Sequence, residues 1–536
     1  MRVTFLPPVK KTSRSASITR AWAWCIIAGA MPVRITGLLL SACFLLCRIA
    51  LADDQPQWGQ PMSRNMVSGE KGLPHTCDPA SGAGIRWAAK LGTQTYSTPV
   101  VARGRVLIGT NNGVPRDPRH QGDRGVLMCL DEKDGSLHWQ LVCPKLDWDP
   151  YLDWTGIGIC ASPVVEGNRV YLLGNRCEVL CLDLDGLANG NDGPFVDEAA
   201  FMAPRGREPI PPAALDADVI WRLDLRKEAG VHPHDASAGS VLILGRHLYV
   251  AVPNGNDNTH RRNPAPDAPG LVVVDKATGR LLGRDDTGCG HRTIHSLWSS
   301  PSSGSVGGRR LVFFAAGDGV CYALEPLESD PPPGEVKRLR TVWKFDCDPD
   351  APKEDIFKWQ DNRREGPSTI SGMPVFHEGR VYVAAGGDVW HGKPWSWLKC
   401  IDAAAGSGDI TASGQVWSWR MNGFCMSTPA IHDGLVYITD CARNVHCLEA
   451  ATGKPLWTHR TRGEIWASPL VADGKVYVAT RRGELVVFAA GREKNVLSTI
   501  EFNAPINATP VAANGTLYVA TMTHLYAITG QPGAGR

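Results

Sequence analysis

The chain has 536 residues, and 56 Lys and Arg balance 54 Asp and Glu to give a formal net charge of +2. Such a balanced charge creates no field that would attract nucleic acid or an anionic membrane, so we expect neither as a partner. The length alone suggests several domains, but one structural repeat continues from residue 96 to residue 530 without a break. The repeat therefore predicts one large closed domain.

The first 52 residues have the pattern of a targeting segment. The apolar run ITGLLLSACFLLC follows Arg34, and the triplet Ala-Leu-Ala at 50–52 precedes Asp53. This order is typical of a secretory signal peptide, with cleavage after Ala52. We therefore expect an exported protein of the periplasm or cell envelope, with no transmembrane segment in the mature chain. A start at Met31, rather than Met1, would give a signal peptide of conventional length.

Two segments precede the first repeat. Residues 53–83 show little periodicity and are rich in Gly and Pro, which predicts a strap over the outside of the domain. Residues 84–91, GIRWAAKL, have the pattern of a strand with no partner nearby, whereas the last repeat ends at Gly530 without its fourth strand. We predict that 84–91 supplies the missing strand and closes a ring, because closure removes exposed strand edges. Residues 531–536 are predicted to be a disordered tail.

The repeat is clearest in residues 465–491, IWASPLVADGKVYVATRRGELVVFAAG. Its alternating apolar and polar residues, interrupted by short turns, predict three antiparallel strands joined by hairpins. An eight-residue step joins Pro469 to Tyr477; six other copies keep this step, and an eighth copy at Pro301 has a longer hairpin. The predicted fold class is all-β: an eight-bladed β-propeller of four-stranded antiparallel blades over residues 84–530.

A tryptophan recurs in the fourth strand of six repeats: Trp87, Trp139, Trp221, Trp343, Trp417 and Trp457. One indole buries a large apolar area and has an N–H that can dock, so we predict that these residues pack neighbouring blades together. The remaining two repeats have Gly283 and Leu497 near this place, and we expect those two junctions to pack less tightly.

The segments EAATGKPLWTHR and VDKATGRLL, and units of the form S-x-P-x-V-x-x-G-x-V-Y-V, resemble the quinoprotein-type propeller repeat. Pyrroloquinoline-quinone (PQQ) dehydrogenases and the outer-membrane assembly factor BamB share this repeat. The resemblance covers about residues 87 to 530 and implies the fold more strongly than the function. The stretches DWTGIGICASPVVEGNRVYLL and GDGVCYALEP are also similar to exported planctomycete-type PQQ-like propellers.

Sixteen cysteines are present, and four of them, Cys129, Cys181, Cys400 and Cys447, occupy one repeat position. Other repeats have a small hydrophobic residue there, so we predict buried free thiols. The remaining cysteines leave open whether disulfides form, and their pairing cannot be derived from spacing.

The two faces of the predicted propeller differ in their loops. The loops between second and third strands share a face, the loop face, with the connections between blades. It receives the insertions at 111–125, 144–158, 253–270, 347–371 and 387–397. The opposite, hairpin face has short Gly hairpins, such as those at Gly104 and Gly434, and we place the insertions 184–219 and 326–340 there. Long loops on a rigid scaffold commonly carry recognition, which favours the loop face.

Eight of the fifteen histidines fall on the loop face. The candidate ligand-binding or partner-binding residues near the channel mouth are Tyr96, His232, His234, His291, His295, Trp298 and Trp466. The three aromatic residues could stack on a planar ligand, although packing is the favoured role. A metal site needs two or three histidines to converge, and spacing between different blades cannot establish convergence. We therefore predict no metal and favour hydrogen bonding for the histidines.

A PQQ-dependent alcohol or sugar dehydrogenase is one functional alternative. The resemblance implies a vicinal Cys-Cys ring against the quinone and a calcium set of Glu, Asn and Asp. The chain has no Cys-Cys dipeptide and no recognisable calcium set. We therefore predict no catalytic residue and no cofactor; PQQ with Ca²⁺ belongs only to this alternative.

The favoured hypothesis is an exported, non-catalytic PQQ-like propeller, monomeric, that acts as an interaction scaffold for another envelope protein. Charge balance, the lack of a G-x-S-x-G motif and the recognition-sized insertions support it. A further alternative is a carbohydrate or peptide binding module in the channel mouth.

Overall fold

The computed structural model describes residues 53–146 and 149–530. Their strands form eight sheets, each with four antiparallel strands, and the sheets follow one another around a ring. This arrangement confirms the predicted eight-bladed propeller. The predicted signal segment 1–52 and tail 531–536 lie outside the described residues. Within 53–146 and 149–530, no helix is both long and apolar enough to cross a membrane.

Blades 1 to 4 contain the following strands, from the channel outward. They are Val100–Ala102, Arg105–Asn111, Arg124–Asp131 and Leu137–Pro144; Val164–Glu166, Arg169–Gly174, Glu178–Asp183 and Val219–Asp224; Leu242–Leu244, His247–Ala251, Leu271–Asp275 and Leu281–Arg284; and Ser302–Val306, Arg309–Ala315, Val320–Leu324 and Thr341–Asp346. The connections between described strands contain two short α-helices and four 3-10 turns. The helices are Glu198–Met202 and Leu225–Glu228, and the turns are Pro150–Leu152, Gly186–Asn189, Cys289–His291 and Ile356–Trp359.

Blades 5 to 8 complete the ring. Their strands are Val375–His377, Arg380–Gly386, Ser396–Asp402 and Gln415–Met421; Ala430–His432, Leu435–Asp440, Asn444–Glu449 and Pro455–Arg460; Leu470–Ala472, Lys475–Ala479, Glu484–Ala489 and Val496–Glu501; and Val511–Ala513, Thr516–Ala520, His524–Ile528 and Ile85–Lys90. The last strand, Ile85–Lys90, pairs antiparallel with His524–Ile528, so that Trp87 lies opposite Ala527. The predicted closure by residues 84–91 is therefore confirmed.

The recurring tryptophans lie at the junctions between blades. Each indole N–H donates to a backbone carbonyl that follows the third strand of the next blade, over 2.8 Å to 3.2 Å. The pairs are Trp87 with Glu132, Trp139 with Leu184, Trp221 with Lys276, Trp343 with Ala403, Trp417 with Ala450, and Trp457 with Gly491. A Cβ at Gly186 would lie 2.7 Å from the Trp139 ring, so this turn needs glycine. The indole thus joins two blades by packing and by a hydrogen bond.

Other contacts fill the two junctions that lack the tryptophan. Between blades 3 and 4, the short strand Lys337–Arg338 pairs in parallel with Leu281–Arg284, the outermost strand of blade 3. Between blades 7 and 8, Leu73 packs into the cluster that contains Tyr477 and Leu517. Both junctions therefore have a substitute for the indole.

The insertions 184–219 and 326–340 cover strand edges. Lys337–Arg338 belongs to the second insertion, and in the first Asp216 forms a parallel bridge with Gln140 on the outermost strand of blade 1. Both insertions therefore run along the outer edge of the preceding blade, rather than only across the hairpin face as predicted. Covering an outer strand protects its backbone groups from pairing with another chain.

The sequence predicted that residues 53–83 lie over the outside of the domain. In the structure, the segment 53–68 crosses the channel instead. Hydrogen bonds join it to the inner strand, or a residue beside it, in every blade: Gln55 to Val101, Pro56 to Val165, Arg64 to Val241, Met62 to Ser303, Ser63 to Phe376, Asn65 to Ile431, Met66 to Val471 and Asp53 to Asn514. Six of these partners lie in the hairpin turn or within two residues of it, whereas Val241 and Ser303 lie four residues before theirs. We call 53–68 the channel plug, because most of its contacts close the hairpin end of the channel.

Arg64 anchors the channel plug. Its side chain is fully buried and donates to the carbonyls of Trp58, Ser240, Val241 and Pro301. Burial lowers the pKa of this guanidinium to about 9. The plug is held mainly by such polar contacts to backbone groups, which leave no apolar periodicity in its sequence.

The thirteen cysteines of the described residues are free thiols. Cys129, Cys181, Cys400 and Cys447 are buried, as their repeat position predicted. Burial raises the pKa of Cys181 to about 12, so this thiol stays protonated near neutral pH.

Candidate functional site

Four imidazoles meet at the loop end of the channel. His234 and His295 come from the connections that enter blades 3 and 4, whereas His260 and His391 come from the loops between the second and third strands of blades 3 and 5. Ring centroids are 4.7 Å apart for His234 and His260, 5.0 Å for His234 and His295, and 4.5 Å for His295 and His391. We call these four residues the histidine cluster.

His234 and His260 form the closest pair in the cluster. Their Nε2 atoms are 3.0 Å apart, and Nδ1 of His234 lies 2.8 Å from the carbonyl oxygen of Asn256. Nδ1–H therefore donates to Asn256, which leaves the Nε2 lone pair of His234 facing His260. Burial lowers the pKa of His234 to about 3, and burial together with the charge on His295 lowers the pKa of His260. Both rings are neutral at pH 7.

His295 lies between two carboxylates. Its Nδ1 is 3.0 Å from Oδ2 of Asp388, and its Nε2 is 3.3 Å from Oδ2 of Asp235. Burial alone would lower the pKa of His295, but the hydrogen bonds and charges of the two acids outweigh burial and raise it to about 9. The same contacts outweigh burial of the acids and hold the pKa of Asp235 and Asp388 below the usual range. One imidazolium and two carboxylates give this trio a net charge of −1.

Asp388 also organises the loop that carries His391. It accepts the backbone N–H groups of Trp390, at 2.7 Å, and of His391. The His391 side chain is buried, and burial lowers its pKa to about 4. A single carboxylate therefore fixes a neutral imidazole and a tryptophan beside the charged His295.

An aromatic arc follows the mouth above the cluster. Successive ring centroids are 5.7 Å apart from Trp298 to Trp390, 6.1 Å from Trp390 to Trp466, and 6.3 Å from Trp466 to Tyr96. Trp298 donates its indole N–H to the carbonyl of Ala236 and packs at 4.9 Å from His295. The guanidinium of Arg481 lies 3.9 Å from the centre of the Trp466 ring. Trp298, Trp390, Trp466 and Tyr96 are called the aromatic arc below.

Five of the seven residues predicted from the sequence come together here: Tyr96, His234, His295, Trp298 and Trp466. His232 is tied through its backbone N–H to the side chain of Asn254. The side chain of His291 is 54% exposed, and its Nε2 pairs with Asp267 at 2.8 Å, so it does not join the cluster.

Sequence reasoning missed four residues of this site: Tyr151, Asp235, Asp388 and Trp390. Tyr151 stacks on His234 with 5.7 Å between ring centroids. The stretch GDVWHG at 387–392 places an acid, an indole and an imidazole within four residues, which was the available signal. His260 and His391 were placed on the loop face but were not selected.

The chain matches the family model described as outer membrane protein assembly factor BamB over residues 59–211 and 396–534. The match covers more than half of the chain, which therefore belongs to this family of PQQ-like propellers. No curated protein matches the chain.

Solved structures are similar to this chain at low sequence identity. Europium-containing methanol dehydrogenase is 11% identical with a TM-score of 0.53, over 88% of this chain and 90% of that chain. BamB from Moraxella catarrhalis is 12% identical with a TM-score of 0.49, over 84% of this chain and 98% of that chain. At such identities the likeness to the dehydrogenase shows the fold alone.

The donors at the loop end do not match the cofactor that the quinoprotein resemblance implies. Ca²⁺ takes six to eight oxygen ligands, whereas imidazole nitrogens dominate the histidine cluster. The chain also lacks the Cys-Cys dipeptide whose disulfide ring would stack on the quinone. The residues in this part of the channel therefore do not fit PQQ with Ca²⁺.

Proposed function

We propose that this protein is an exported, non-catalytic PQQ-like propeller that presents its loop face to another protein of the cell envelope. One observation carries the proposal: the channel plug occupies the hairpin end, while the long loops and the aromatic arc surround the opposite end. The two ends of the ring thus have different roles, the first structural and the second recognition.

Exposed tryptophans support a docking role for the loop face. Among the described residues, Trp154 and Trp390 are the two exposed tryptophans, at 37% and 46%, and both lie in loop-face insertions. Aromatic residues are enriched in the cores of protein interfaces and among the side chains that contribute most to binding. Covering an exposed indole with a partner lowers the free energy, because its large apolar area is then removed from water.

The loops that carry these tryptophans are held in place before any partner arrives. The backbone N–H of Trp154 donates to the carbonyl of Asp235 at 2.7 Å, and the N–H of Asp235 donates to Tyr151 at 2.6 Å. Trp390 is held by Asp388. A preorganised surface loses less conformational entropy on binding, which favours affinity.

Two observations support the envelope location. The chain belongs to the family whose model is described as outer membrane protein assembly factor BamB, and its first 52 residues have the pattern of a signal peptide. The mismatch with PQQ and Ca²⁺ supports a non-catalytic role.

Site-specific photocrosslinking in the native envelope tests the proposal. A photoreactive residue at Trp390 reports on the loop face, and one at Asp433, in the hairpin of blade 6, reports on the hairpin face. We expect a discrete protein adduct from position 390 and none from position 433. Adducts from position 433 alone, or from neither position, would contradict the proposal.

A further inference from the structure

The nitrogen atoms of the histidine cluster already have a spacing suited to metal ligands. One nitrogen each from His234, His260 and His295 lie within 4.8 Å of one another. A tetrahedral ion with Zn–N bonds of about 2.0–2.1 Å places neighbouring nitrogens roughly 3.3 Å apart. The Nε2 atoms of His234 and His260 are 3.0 Å apart, so a shared ion needs only small movements of the rings.

The outer nitrogens of two of these rings are held by acceptors. Nδ1 of His234 donates to the carbonyl of Asn256, and Nδ1 of His295 donates to the carboxylate of Asp388. Metal-binding histidines usually make such a bond with the nitrogen that does not bind the ion, because it fixes the tautomer and the ring orientation. Nε2 of each ring is therefore directed into the cluster.

Asp235 is placed to supply an oxygen ligand. Its carboxylate oxygens lie 3.6 Å from Nε2 of His234 and 3.3 Å from Nε2 of His295. Its backbone has a φ of +60°, an uncommon conformation for a residue other than glycine, and its N–H and C=O are both bonded to the loop at Tyr151 and Trp154. The surrounding loop therefore holds this carboxylate against the histidines.

We infer that the cluster binds one divalent transition metal ion of the zinc type, through Nε2 of His234, His260 and His295 and the carboxylate of Asp235. Any proton on a ring nitrogen that binds the ion leaves to solvent as the ion enters, because imidazole binds metal through a neutral nitrogen. Three imidazoles and a carboxylate suit Zn²⁺ and similar ions rather than Ca²⁺ or Mg²⁺.

The ion would join the entries to blades 3 and 4 to the long loop of blade 3, beneath the aromatic arc. This inference goes beyond the docking function and does not depend on it, because it concerns only atoms of this chain. It differs from the prediction, made from the sequence, that no metal is bound.

A second group of close donors, Asp117, His120 and Asp216, does not carry the same inference. The guanidinium of Arg119 contacts both carboxylates, at 3.0 Å for Asp216. The buried negative charge there already has a cation from the protein, so an added ion would meet repulsion from Arg119.

Calorimetric titration of the chelator-treated full chain with Zn²⁺, together with elemental analysis after gel filtration, tests the site. We expect one equivalent of Zn²⁺, and at least a 100-fold weaker affinity in His260→Ala. His291→Ala is the matched control, because this loop-face histidine pairs with Asp267 outside the cluster, and its affinity should be unchanged.

Melting curves in chelator identify any variant that has lost its fold, and Co²⁺ provides a second readout. The cobalt-loaded wild type should show the visible absorption of a tetrahedral nitrogen and oxygen site, and Asp235→Asn should alter it. Failure of the wild type to retain Zn²⁺ would overturn the inference, as would equal affinity in a folded His260→Ala variant. Neither measurement involves a partner protein, so a failed docking experiment would leave this result intact.

Discussion

Nε2 of His234 lies 3.0 Å from Nε2 of His260, although 26 residues separate them in the chain. His234 belongs to the connection that enters blade 3, and His260 belongs to an insertion between two strands of that blade. The inner strands of the blade hold both segments at the same end of the channel. The contact is thus a product of the folding of blade 3, and neither segment would form it alone.

The channel plug should contribute strongly to stability through Arg64. Arg64→Leu leaves the buried carbonyls of Ser240, Val241 and Pro301 without their donor, and each buried unsatisfied group costs about 1–3 kcal/mol. We expect the free energy of unfolding to fall by about 3 kcal/mol or more, measured by urea denaturation. Arg207→Leu is the control, because Arg207 is exposed and should change stability little. Similar effects of the two substitutions would contradict the role of the plug.

The Trp139 indole between blades 1 and 2 should contribute measurably to stability through its packing and its hydrogen bond. Trp139→Phe keeps an aromatic ring but removes the N–H that donates to Leu184 at 2.8 Å. We expect a loss of about 1–2 kcal/mol in unfolding free energy, because a buried carbonyl loses its donor. Trp419→Phe, on a half-buried residue of blade 5, is the matched substitution and should cost less. An equal cost would show that the bond at Leu184 adds nothing beyond packing.

The buried carboxyl of Asp218 should make the free energy of unfolding depend on pH. Burial, together with the charges of Glu198, Asp183 and Asp192, raises the pKa of this carboxyl to about 6 against the opposing hydrogen bond from the N–H of Asp192. Because the folded state then binds the proton more tightly than the unfolded state, stability falls as the pH rises from about 4 to about 6.

Asp218→Asn removes the charge and keeps an oxygen acceptor for the N–H of Asp192. We expect this variant to exceed the wild type by about 1–2 kcal/mol at pH 7.5, with the difference disappearing near pH 4. Thermal unfolding at the two pH values measures the effect. A variant less stable than the wild type at pH 7.5 would show that the charged form is favoured in the fold.

Removal of the signal peptide should create a new ion pair at Asp53. The backbone nitrogen of Asp53 donates to Oε1 of Glu70 at 2.7 Å, and Oε2 of Glu70 accepts the N–H of Gly515. Cleavage after Ala52 would turn this nitrogen into an ammonium group, which pairs more strongly with a carboxylate than an amide does.

Glu70→Gln should therefore destabilise a chain that begins at Asp53 by about 1 kcal/mol more than a chain with added residues before Asp53. Chemical denaturation of the four proteins gives the comparison. Equal effects of Glu70→Gln in the two backgrounds would count against the ion pair, and N-terminal sequencing of the exported protein checks the cleavage position.

The eight-bladed ring could be predicted from the sequence because the same pattern of strands and turns recurs in every blade. The spare strand at Trp87 and the missing strand after Gly530 together predicted the closure. The channel plug was misplaced because its contacts are hydrogen bonds to backbone groups, which leave no periodic signal. A buried Arg64 with carbonyl partners cannot be distinguished in sequence from an exposed one.

The site was only partly predictable, because its members come from different blades. Candidate residues were chosen by their place before a strand, which found His295 and Trp298 but also selected His291. The structure pairs His291 with Asp267 instead. Asp235 and Asp388 were missed because only the folded ring brings these carboxylates to His295, 60 and 93 residues away in the chain.

The claim that the loop face is a docking surface is tested most directly by measuring how tightly this protein binds the partner that crosslinks at position 390. Trp154→Ala with Trp390→Ala should weaken this binding by at least 2 kcal/mol, because both exposed indoles would be lost from the interface. Val416→Ala is the control, since Val416 is an exposed hydrophobic residue on the outermost strand of blade 5. Isothermal titration with melting curves matched among the variants should show weakened binding only for the double tryptophan variant. Unchanged affinity in that variant, or a comparable loss in Val416→Ala, would contradict the assignment of function to the loop face.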